Sequence, residues 1–240
     1  MKIVADKKIP FVSAYFAEAG DLVLADAHEI DNYLLKDASL LLVRSITQVN
    51  ADLLHDTTVK FVGSVTSGAD HIDTDWLYQH QIHLALASGF NALPVAEYVL
   101  SSIAALAVND MLPPQPLKIG IIGYGRIGKI VANYMSLLGW QVKCYDPPKA
   151  ELEPDFISCA LDDLTAVDCL SIHVPLTLTG NYPTKYLINH QLLQRFSTKL
   201  ILINTSRGAV IATDSLLSYP GLTYCLDVWE NEPAINSDLV

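Results

Sequence analysis

The stretch Lys118-Ile-Gly-Ile-Ile-Gly-Tyr-Gly-Arg-Ile-Gly128 has the pattern of an apolar strand that runs through a glycine-rich turn into a helix. In such a turn, Gly123 makes the tight bend and Gly125 lets the backbone approach a ligand closely. Gly128 lets the helix pack against the strand. The backbone N–H groups at the start of the helix then face an anion. The stretch therefore predicts the first strand–loop–helix unit of a nucleotide-binding α/β domain.

An acidic residue follows the next predicted strand. The run Val142–Tyr145 leads into Asp146, which lies 146 − 128 = 18 residues beyond Gly128. A carboxylate at this place accepts hydrogen bonds from the adenosine ribose hydroxyls and repels a 2′-phosphate. The loop and the acid together predict NAD as the cofactor, in preference to NADP.

Apolar strand-like runs alternate with amphipathic segments along the whole sequence. The predicted strands are Ile3–Ala5, Leu22–Ala25, Leu40–Val43, Lys60–Val65, Ile82–Ala87, Lys118–Ile122, Gln141–Tyr145, Cys169–Val174, Leu200–Asn204 and Leu222–Val228. The predicted helices include Ala51–His55, Asp73–His80, Arg126–Leu138 and Asn189–Phe196. Nearly continuous apolar strands separated by helices are typical of parallel sheets covered on both faces. The fold class is therefore predicted as α/β with two doubly wound parallel-sheet units.

The boundary between the two units is predicted near residue 92. Ser88–Asn91 has the composition of a turn, and Pro94 suits the first turn of a helix that runs to about Val108. Three prolines within residues 109–116 then prevent the helix from continuing. We place the first domain at residues 1–92 and the second at residues 93–240.

Composition limits the classes of partner. The formal net charge of −11 argues against nucleic-acid binding, which needs cationic side chains to neutralise phosphates. The longest apolar run, Val95–Val108, is shorter than the ~20 residues that a membrane span needs. The four cysteines form no C-x-x-C pair, as expected for reduced thiols in a cytoplasmic protein. We expect neither a nucleic-acid partner nor a membrane partner, and we assign no metal site.

Three further motifs follow the glycine loop in order. They are Ser171–Thr177 (SIHVPLT), Leu202–Gly208 (LINTSRG) and Leu226–Pro233 (LDVWENEP). Together with the loop, this ordered set resembles the D-isomer-specific 2-hydroxyacid dehydrogenase family over nearly the whole chain. The resemblance implies a flavodoxin-like substrate domain followed by a Rossmann NAD-binding domain.

The N-terminal half is most similar to the branch of this family that acts on 4-phospho-D-erythronate. The matching segments are Val43–Thr47, Val65–Asp73, Gly89–Tyr98 and the Asp146-Pro147-Pro148 turn. The resemblance implies NAD-dependent oxidation of the 2-hydroxyl of a small phosphorylated 2-hydroxyacid, within pyridoxal phosphate synthesis, by a homodimer in the full-length form. Two alternatives are a dehydrogenase for another D-2-hydroxyacid, such as phosphoglycerate or glycerate, and an inactive NAD-binding fragment.

The resemblance also implies roles for individual residues. Arg207 would hold the substrate carboxylate, because a planar guanidinium can bind two oxygens at once. Glu232 would orient the catalytic histidine and favour its protonated form. Ser45 and Thr66 would contact the substrate. The residues implied for cofactor binding are Gly123, Gly125, Arg126, Ile127, Gly128, Asp146, Val174, Thr205 and Asp227.

The general base of this family is a histidine that follows the Glu232 motif. None of the seven histidines in the printed sequence follows Glu232. His71 and His173 match family motifs at other positions, and we expect both to be packed or loop-anchoring side chains. We expect the sequence to be a truncated copy or a fragment with little dehydrogenase activity of its own, because acid–base catalysis contributes ~10²–10⁴ in rate.

Overall fold

The structure, a computed structural model, describes residues 1–114, 116–232 and 234–239. Pro233, the last residue of the LDVWENEP motif, therefore lies outside the described residues. The chain divides into two compact units, Met1–Phe90 and Asn91–Val240. Each unit is built around its own parallel sheet.

The first unit alternates strands with short helices, and the structure describes all of its residues. In chain order the elements are β1 (Lys2–Asp6), α1 (Val12–Phe16), β2 (Asp21–Ala25), α2 (Asn32–Leu35), β3 (Leu40–Val43), α3 (Ala51–Leu54), β4 (Phe61–Ser64), α4 (Thr74–Gln79) and β5 (His83–Leu86). Asp31, Asn50 and Asp73 each cap the helix that follows by accepting a hydrogen bond from a first-turn backbone N–H.

The sheet of the first unit has the strand order β2-β1-β3-β4-β5, and every pair of neighbouring strands is parallel. This is the flavodoxin-like order. Successive residues of a strand point to opposite faces: Val4 packs in one apolar cluster, whereas Ile3 and Ala5 pack in another. Both faces of the sheet are thus covered, as predicted from its continuous apolar strands.

The second unit begins with a long helix. Its elements are α5 (Ala92–Val108), β6 (Lys118–Ile122), α6 (Arg126–Leu137), β7 (Gln141–Tyr145), α7 (Pro147–Leu152), β8 (Cys169–Ile172), α8 (His190–Leu193), β9 (Ile201–Asn204), α9 (Thr213–Leu217) and β10 (Thr223–Leu226), with 3₁₀ turns at Leu161–Ala166, Gly208–Val210 and Ser237–Leu239. Pro94 lies in the first turn of α5, as expected. Among the described residues, no helix combines the length and the apolar character needed to cross a bilayer.

The sheet of the second unit has the order β7-β6-β8-β9-β10, again with parallel pairing throughout. Ile119 and Ile121 pack on one face and Ile122 on the other. The chain leaves β6 towards one side of the sheet and later returns to β8 on its other side. In open α/β sheets, ligands bind at this switch, beside the carboxyl ends of the two strands. The glycine loop leaves β6 at this place.

All ten predicted strands are present, and the differences lie at their ends and in the helices. Strand β8 ends at Ile172 and β10 at Leu226, two residues before the predicted ends. Helix α7 was not predicted, because two adjacent prolines suggest a turn. Both prolines lie in its first turn, where no backbone N–H is needed, and Asp146 caps it.

Candidate functional site

The glycines of the β6–α6 loop meet three different requirements. Gly123 has φ +91°, and a Cβ there would lie 2.6 Å from the carbonyl oxygen of His173. A Cβ on Gly128 would lie 2.0 Å from the carbonyl oxygen of Gly123. Nothing lies within 4 Å of a Cβ placed on Gly125. Two of these glycines are therefore required by the fold, whereas Gly125 leaves room for a ligand.

Helix α6 starts directly beyond this open space, with Gly125 as its N-cap. Arg126 is exposed and Ile127 half-buried in its first turn. The first N–H groups of a helix have no partner within the helix, and its N-terminal end carries partial positive charge. This end of α6 can therefore bind an anionic group that approaches over Gly125.

Asp146 holds this loop as well as facing the site. Its Oδ2 accepts a hydrogen bond from the backbone N–H of Tyr124 (2.7 Å), and its Oδ1 accepts one from that of Lys149 (3.1 Å). The Asp146 N–H donates to Ser158 Oγ (2.9 Å). A carboxylate has about four acceptor positions, so two remain for a ligand. Sequence analysis missed the first role, in which Asp146 links the glycine loop to α7.

A pocket of about 240 Å³ opens beside the loop. Its walls come from the segments that follow β6, β7 and β8, and its lining residues are Gly123, Gly125, Tyr145, Asp146, Pro147, Pro148, His173, Val174, Pro175, Thr177, Tyr182, Pro183, Thr184 and Leu187. Four of the predicted cofactor residues line it: Gly123, Gly125, Asp146 and Val174. The wall formed by residues 182–187 was not predicted, because the chain after the SIHVPLT motif carries no periodic pattern.

His173 is half-buried and lines this pocket. Its Nε2 lies 2.9 Å from Ser171 Oγ and its Nδ1 lies 3.0 Å from Thr205 Oγ1. Burial lowers the pKa of His173 to about 3. The imidazole is therefore neutral at physiological pH, and its two hydroxyl partners join the turn after β8 to the turn after β9. Thr205, a predicted cofactor residue, faces His173 with its hydroxyl.

The turn that carries Arg207 is held by the side chain of Asn204. Asn204 Oδ1 accepts from the N–H and the hydroxyl of Ser206 (3.0 and 2.7 Å), and Asn204 Nδ2 donates to the carbonyl of Arg207 (3.0 Å). Arg207 is half-buried, and its Nη1 donates to the Ser206 carbonyl (2.8 Å). These hydrogen bonds therefore fix the turn that carries the Arg207 guanidinium.

The segment after β10 passes over this turn. A Cβ on Gly208 would lie 1.9 Å from the backbone carbon of Trp229, so only glycine fits there. The N–H of Asp227 donates to the Asn204 carbonyl (3.0 Å), and Asp227 itself is exposed. The segments that carry Arg207 and Asp227 are thus in direct backbone contact.

Two carboxylates within this segment have different roles. Glu232 is exposed, and its carboxylate accepts a hydrogen bond from the N–H of Trp229. Glu230 accepts from the Tyr186 hydroxyl (2.5 Å) and from the Thr213 hydroxyl (2.7 Å). Burial would raise the pKa of Glu230, but these hydrogen bonds outweigh it and hold the pKa below its usual value. Sequence analysis missed Glu230, which anchors the segment that carries Asp227 and Glu232.

The predicted substrate contacts lie in the first unit, after neighbouring strands. Ser45 follows β3 and is exposed. Thr66 follows β4; its hydroxyl donates to the Gly68 carbonyl (2.9 Å) and lies 2.7 Å from Ser64 Oγ. Ser64 Oγ in turn lies 3.1 Å from Nε2 of the buried His71. Since β3 and β4 are adjacent and parallel, Ser45 and Thr66 share one edge of the sheet, and His71 anchors the loop of Thr66.

Arg44, which precedes Ser45 in the chain, supplies a positive charge at this edge of the sheet. Arg44 Nε donates to Asp6 Oδ2 (2.8 Å), and Asp6, fully buried at the end of β1, also accepts from the N–H of Lys8 (2.8 Å). The Arg44 side chain is 25% exposed. Sequence analysis included Arg44 in a family segment but gave it no role. Its position beside Ser45 makes it a candidate for binding an anionic substrate group.

Comparison with known protein families agrees with a dinucleotide-binding site at the glycine loop. Residues 109–240, more than half of the chain, match the family model described as D-isomer specific 2-hydroxyacid dehydrogenase, NAD binding domain. The chain belongs to this family. The prediction that the cofactor is NAD is confirmed, whereas the roles of the individual residues stay predictions.

The relatives of this chain include proteins named erythronate-4-phosphate dehydrogenase. The one from Coxiella burnetii (strain RSA 331 / Henzerling II) is 45% identical over 240 residues, which cover 100% of this chain and 66% of the relative. The one from Hahella chejuensis (strain KCTC 2396) is 42% identical over 244 residues, covering 100% of this chain and 64% of the relative. The chain thus spans slightly less than two thirds of these relatives.

A solved structure supports the fold assignment. D-lactate dehydrogenase from Aquifex aeolicus, complexed with NAD and lactic acid, superposes with a TM-score of 0.76 at 26% identity. The match covers 96% of this chain and 78% of the Aquifex chain. The predicted combination of a flavodoxin-like and a Rossmann-type unit is confirmed.

Proposed function

We propose that this chain catalyses, or forms the larger part of an enzyme that catalyses, NAD-dependent oxidation of the 2-hydroxyl of 4-phospho-D-erythronate in pyridoxal phosphate synthesis. The observation that carries the proposal is the edge of the second sheet, where a dinucleotide pocket and the braced Arg207 turn follow neighbouring strands. The relatives named erythronate-4-phosphate dehydrogenase support the choice of substrate.

Residues of the second unit suit the adenine, the adenosine ribose and the pyrophosphate of NAD. The pocket between Pro148 and Val174 accepts the adenine, and the remaining acceptor positions of Asp146 bind the ribose hydroxyls. The pyrophosphate lies over Gly125, at the start of α6. Bound NAD supplies the hydride acceptor for the reaction. The open space at Gly125, which an added Cβ would not fill, supports this placement.

Each unit supplies candidate residues for one anionic group of the substrate. Arg207 binds the carboxylate, because a planar guanidinium can donate to two carboxylate oxygens at once. Arg44, with Ser45 and Thr66 beside it, binds the phosphate. The buried Asp6 keeps the Arg44 guanidinium in place. The family resemblance assigns the hydroxyl proton to a histidine that Glu232 orients.

Turnover of a small substrate panel tests this proposal. We expect the chain, or its counterpart extended to the length of the relatives, to reduce NAD with 4-phospho-D-erythronate at a higher kcat/KM than with 3-phosphoglycerate or glycerate. The measurement is absorbance at 340 nm. A higher value with either of the other acids would favour the alternative of a different D-2-hydroxyacid dehydrogenase. NAD binding without turnover of any acid would favour the alternative of an inactive NAD-binding fragment.

We expect the chain to bind NAD on the order of a hundredfold more tightly than NADP, because the 2′-phosphate of NADP would meet the Asp146 carboxylate. Asp146→Asn should narrow this difference in affinity and also weaken NAD binding. One amide oxygen cannot replace the two carboxylate oxygens that accept from the N–H groups of Tyr124 and Lys149. Calorimetric titration with both dinucleotides measures the two effects. Asp162→Asn, which alters an exposed carboxylate paired with Arg195, is the control. Equal affinities in the unaltered chain would contradict the role of Asp146.

The homodimer implied by the resemblance and the cytoplasmic location expected from the cysteines stay predictions. Burial raises the pKa of Cys144 to about 11 and also raises the pKa of Cys159 and of Cys225. Protonated thiols react slowly, which supports the expectation of reduced cysteines in a reducing compartment.

A further inference from the structure

The segment between β8 and α8 departs from the sheet as a loop with a fixed base. Thr184 holds the base: its hydroxyl donates to the Pro175 carbonyl (2.5 Å) and accepts from the N–H of Thr177 (2.8 Å). The N–H of Thr184 also donates to the Thr177 carbonyl (3.0 Å). The hydroxyl of Thr184 is thus used twice, and the side chain is buried. These bonds fix the two ends of the loop next to each other.

Tyr182 lies two residues before Thr184, and its carbonyl accepts a hydrogen bond from the Thr177 hydroxyl (3.3 Å) at the base. Its side chain contacts the opposite wall of the pocket. Its hydroxyl donates to Glu151 Oε1 over 2.6 Å, and Glu151 belongs to α7. One wall of the pocket is formed by the start of α7 and the other by Tyr182 and its neighbours. The Tyr182–Glu151 hydrogen bond therefore joins the two walls of the pocket.

Helix α7 is itself fixed to the glycine loop. Asp146 caps α7 through the N–H of Lys149 and binds the N–H of Tyr124 with its other oxygen. These contacts run from Tyr182 through α7 and Asp146 to the glycine loop. A ligand whose apolar ring occupies the pocket lies beside this series of contacts.

We propose that Tyr182 and Glu151 form a clasp that retains the adenosine half of the dinucleotide by slowing its release. The inference rests on the placement of the adenine under Proposed function. A phenol–carboxylate hydrogen bond is stronger than one between neutral groups, and it must open before the two walls can separate. The clasp acts on dissociation, and it acts on any ligand that carries the adenosine half.

The test measures AMP and NAD binding to the chain and to its Tyr182→Phe variant by stopped-flow fluorescence and calorimetry. We expect Tyr182→Phe to raise the dissociation rates of AMP and NAD by the same factor, about three- to tenfold, with little change in the association rate. An equal factor for both ligands assigns the effect to the half that they share. Tyr219→Phe, which loses a tyrosine hydrogen bond to the His190 carbonyl outside the pocket, should leave AMP release unchanged.

A double-variant cycle identifies the partner. Glu151→Ala should raise the dissociation rate as Tyr182→Phe does, and the two changes together should have no greater effect than either alone. Additive effects, or unchanged AMP release in Tyr182→Phe, would overturn the clasp. An unaltered chain that binds NAD but not AMP would instead contradict the adenosine placement.

Discussion

Gly128→Ala is expected to destabilise the second unit by roughly 3 kcal/mol or more and to abolish NAD binding. The new methyl group would lie 2.0 Å from the carbonyl oxygen of Gly123 and 3.3 Å from Ile121 Cγ2. Backbone cannot move aside as the end of a long side chain can, so either the helix or the strand must shift, at the cost typical of overpacking. Hydrogen exchange of peptides from α6 measures the loss of stability.

Gly125→Ala is the matched control, because the same change in the same loop meets empty space. Its φ of −78° and ψ of −153° are open to alanine. The unfolding free energy of this variant should stay within about 0.5 kcal/mol of the parent. Its NAD affinity should still fall by about tenfold or more, since the methyl group takes the place of the pyrophosphate. Equal stability losses in the two variants would contradict the division of roles.

Arg207→Lys is expected to lower kcat/KM for 4-phospho-D-erythronate by roughly two orders of magnitude, about 3 kcal/mol of transition-state binding. Lysine keeps the positive charge, but it cannot bind two carboxylate oxygens in one plane. Nor can it keep the fixed direction that the guanidinium takes from the turn braced by Asn204. The NAD affinity should be unchanged, because the adenosine pocket does not include Arg207.

Initial-rate kinetics and NAD titration on the same preparation check both parts. Arg195→Lys provides the control, since Arg195 belongs to the same unit and is paired with Asp162 at the surface. Surface ion pairs contribute little, so this variant should behave as the parent. A variant at Arg207 that keeps more than half of the parent activity would exclude the carboxylate-binding role.

The sequence was sufficient to predict the strands and the positions of the glycines. Ten apolar runs formed ten strands, because a strand covered on both faces needs continuous apolar residues. The tasks of Gly123, Gly125 and Gly128 follow from the geometry of a strand–turn–helix unit, which is local in the chain. Constraints between residues that are close in the chain leave a recognisable pattern in the amino-acid sequence.

The side-chain partners could not be predicted in the same way. Tyr182 and Glu151 are 31 residues apart, Arg44 and Asp6 are 38 apart, and Tyr186 and Glu230 are 44 apart. Each pair depends on the path of a loop, and no periodicity or spacing encodes that path. Asp146 is intermediate: its place after β7 was predictable, whereas its bond to the loop backbone was not.

The division of the lining residues along the chain has a consequence for how this protein can change over generations. All the residues that line the pocket fall between Gly123 and Leu187. The residues proposed to bind the substrate phosphate precede residue 92, and those proposed for its carboxylate and for catalysis follow residue 203. Genetic exchange of the stretch before residue 92 can therefore bring in a different acid specificity and leave the inherited nucleotide pocket intact.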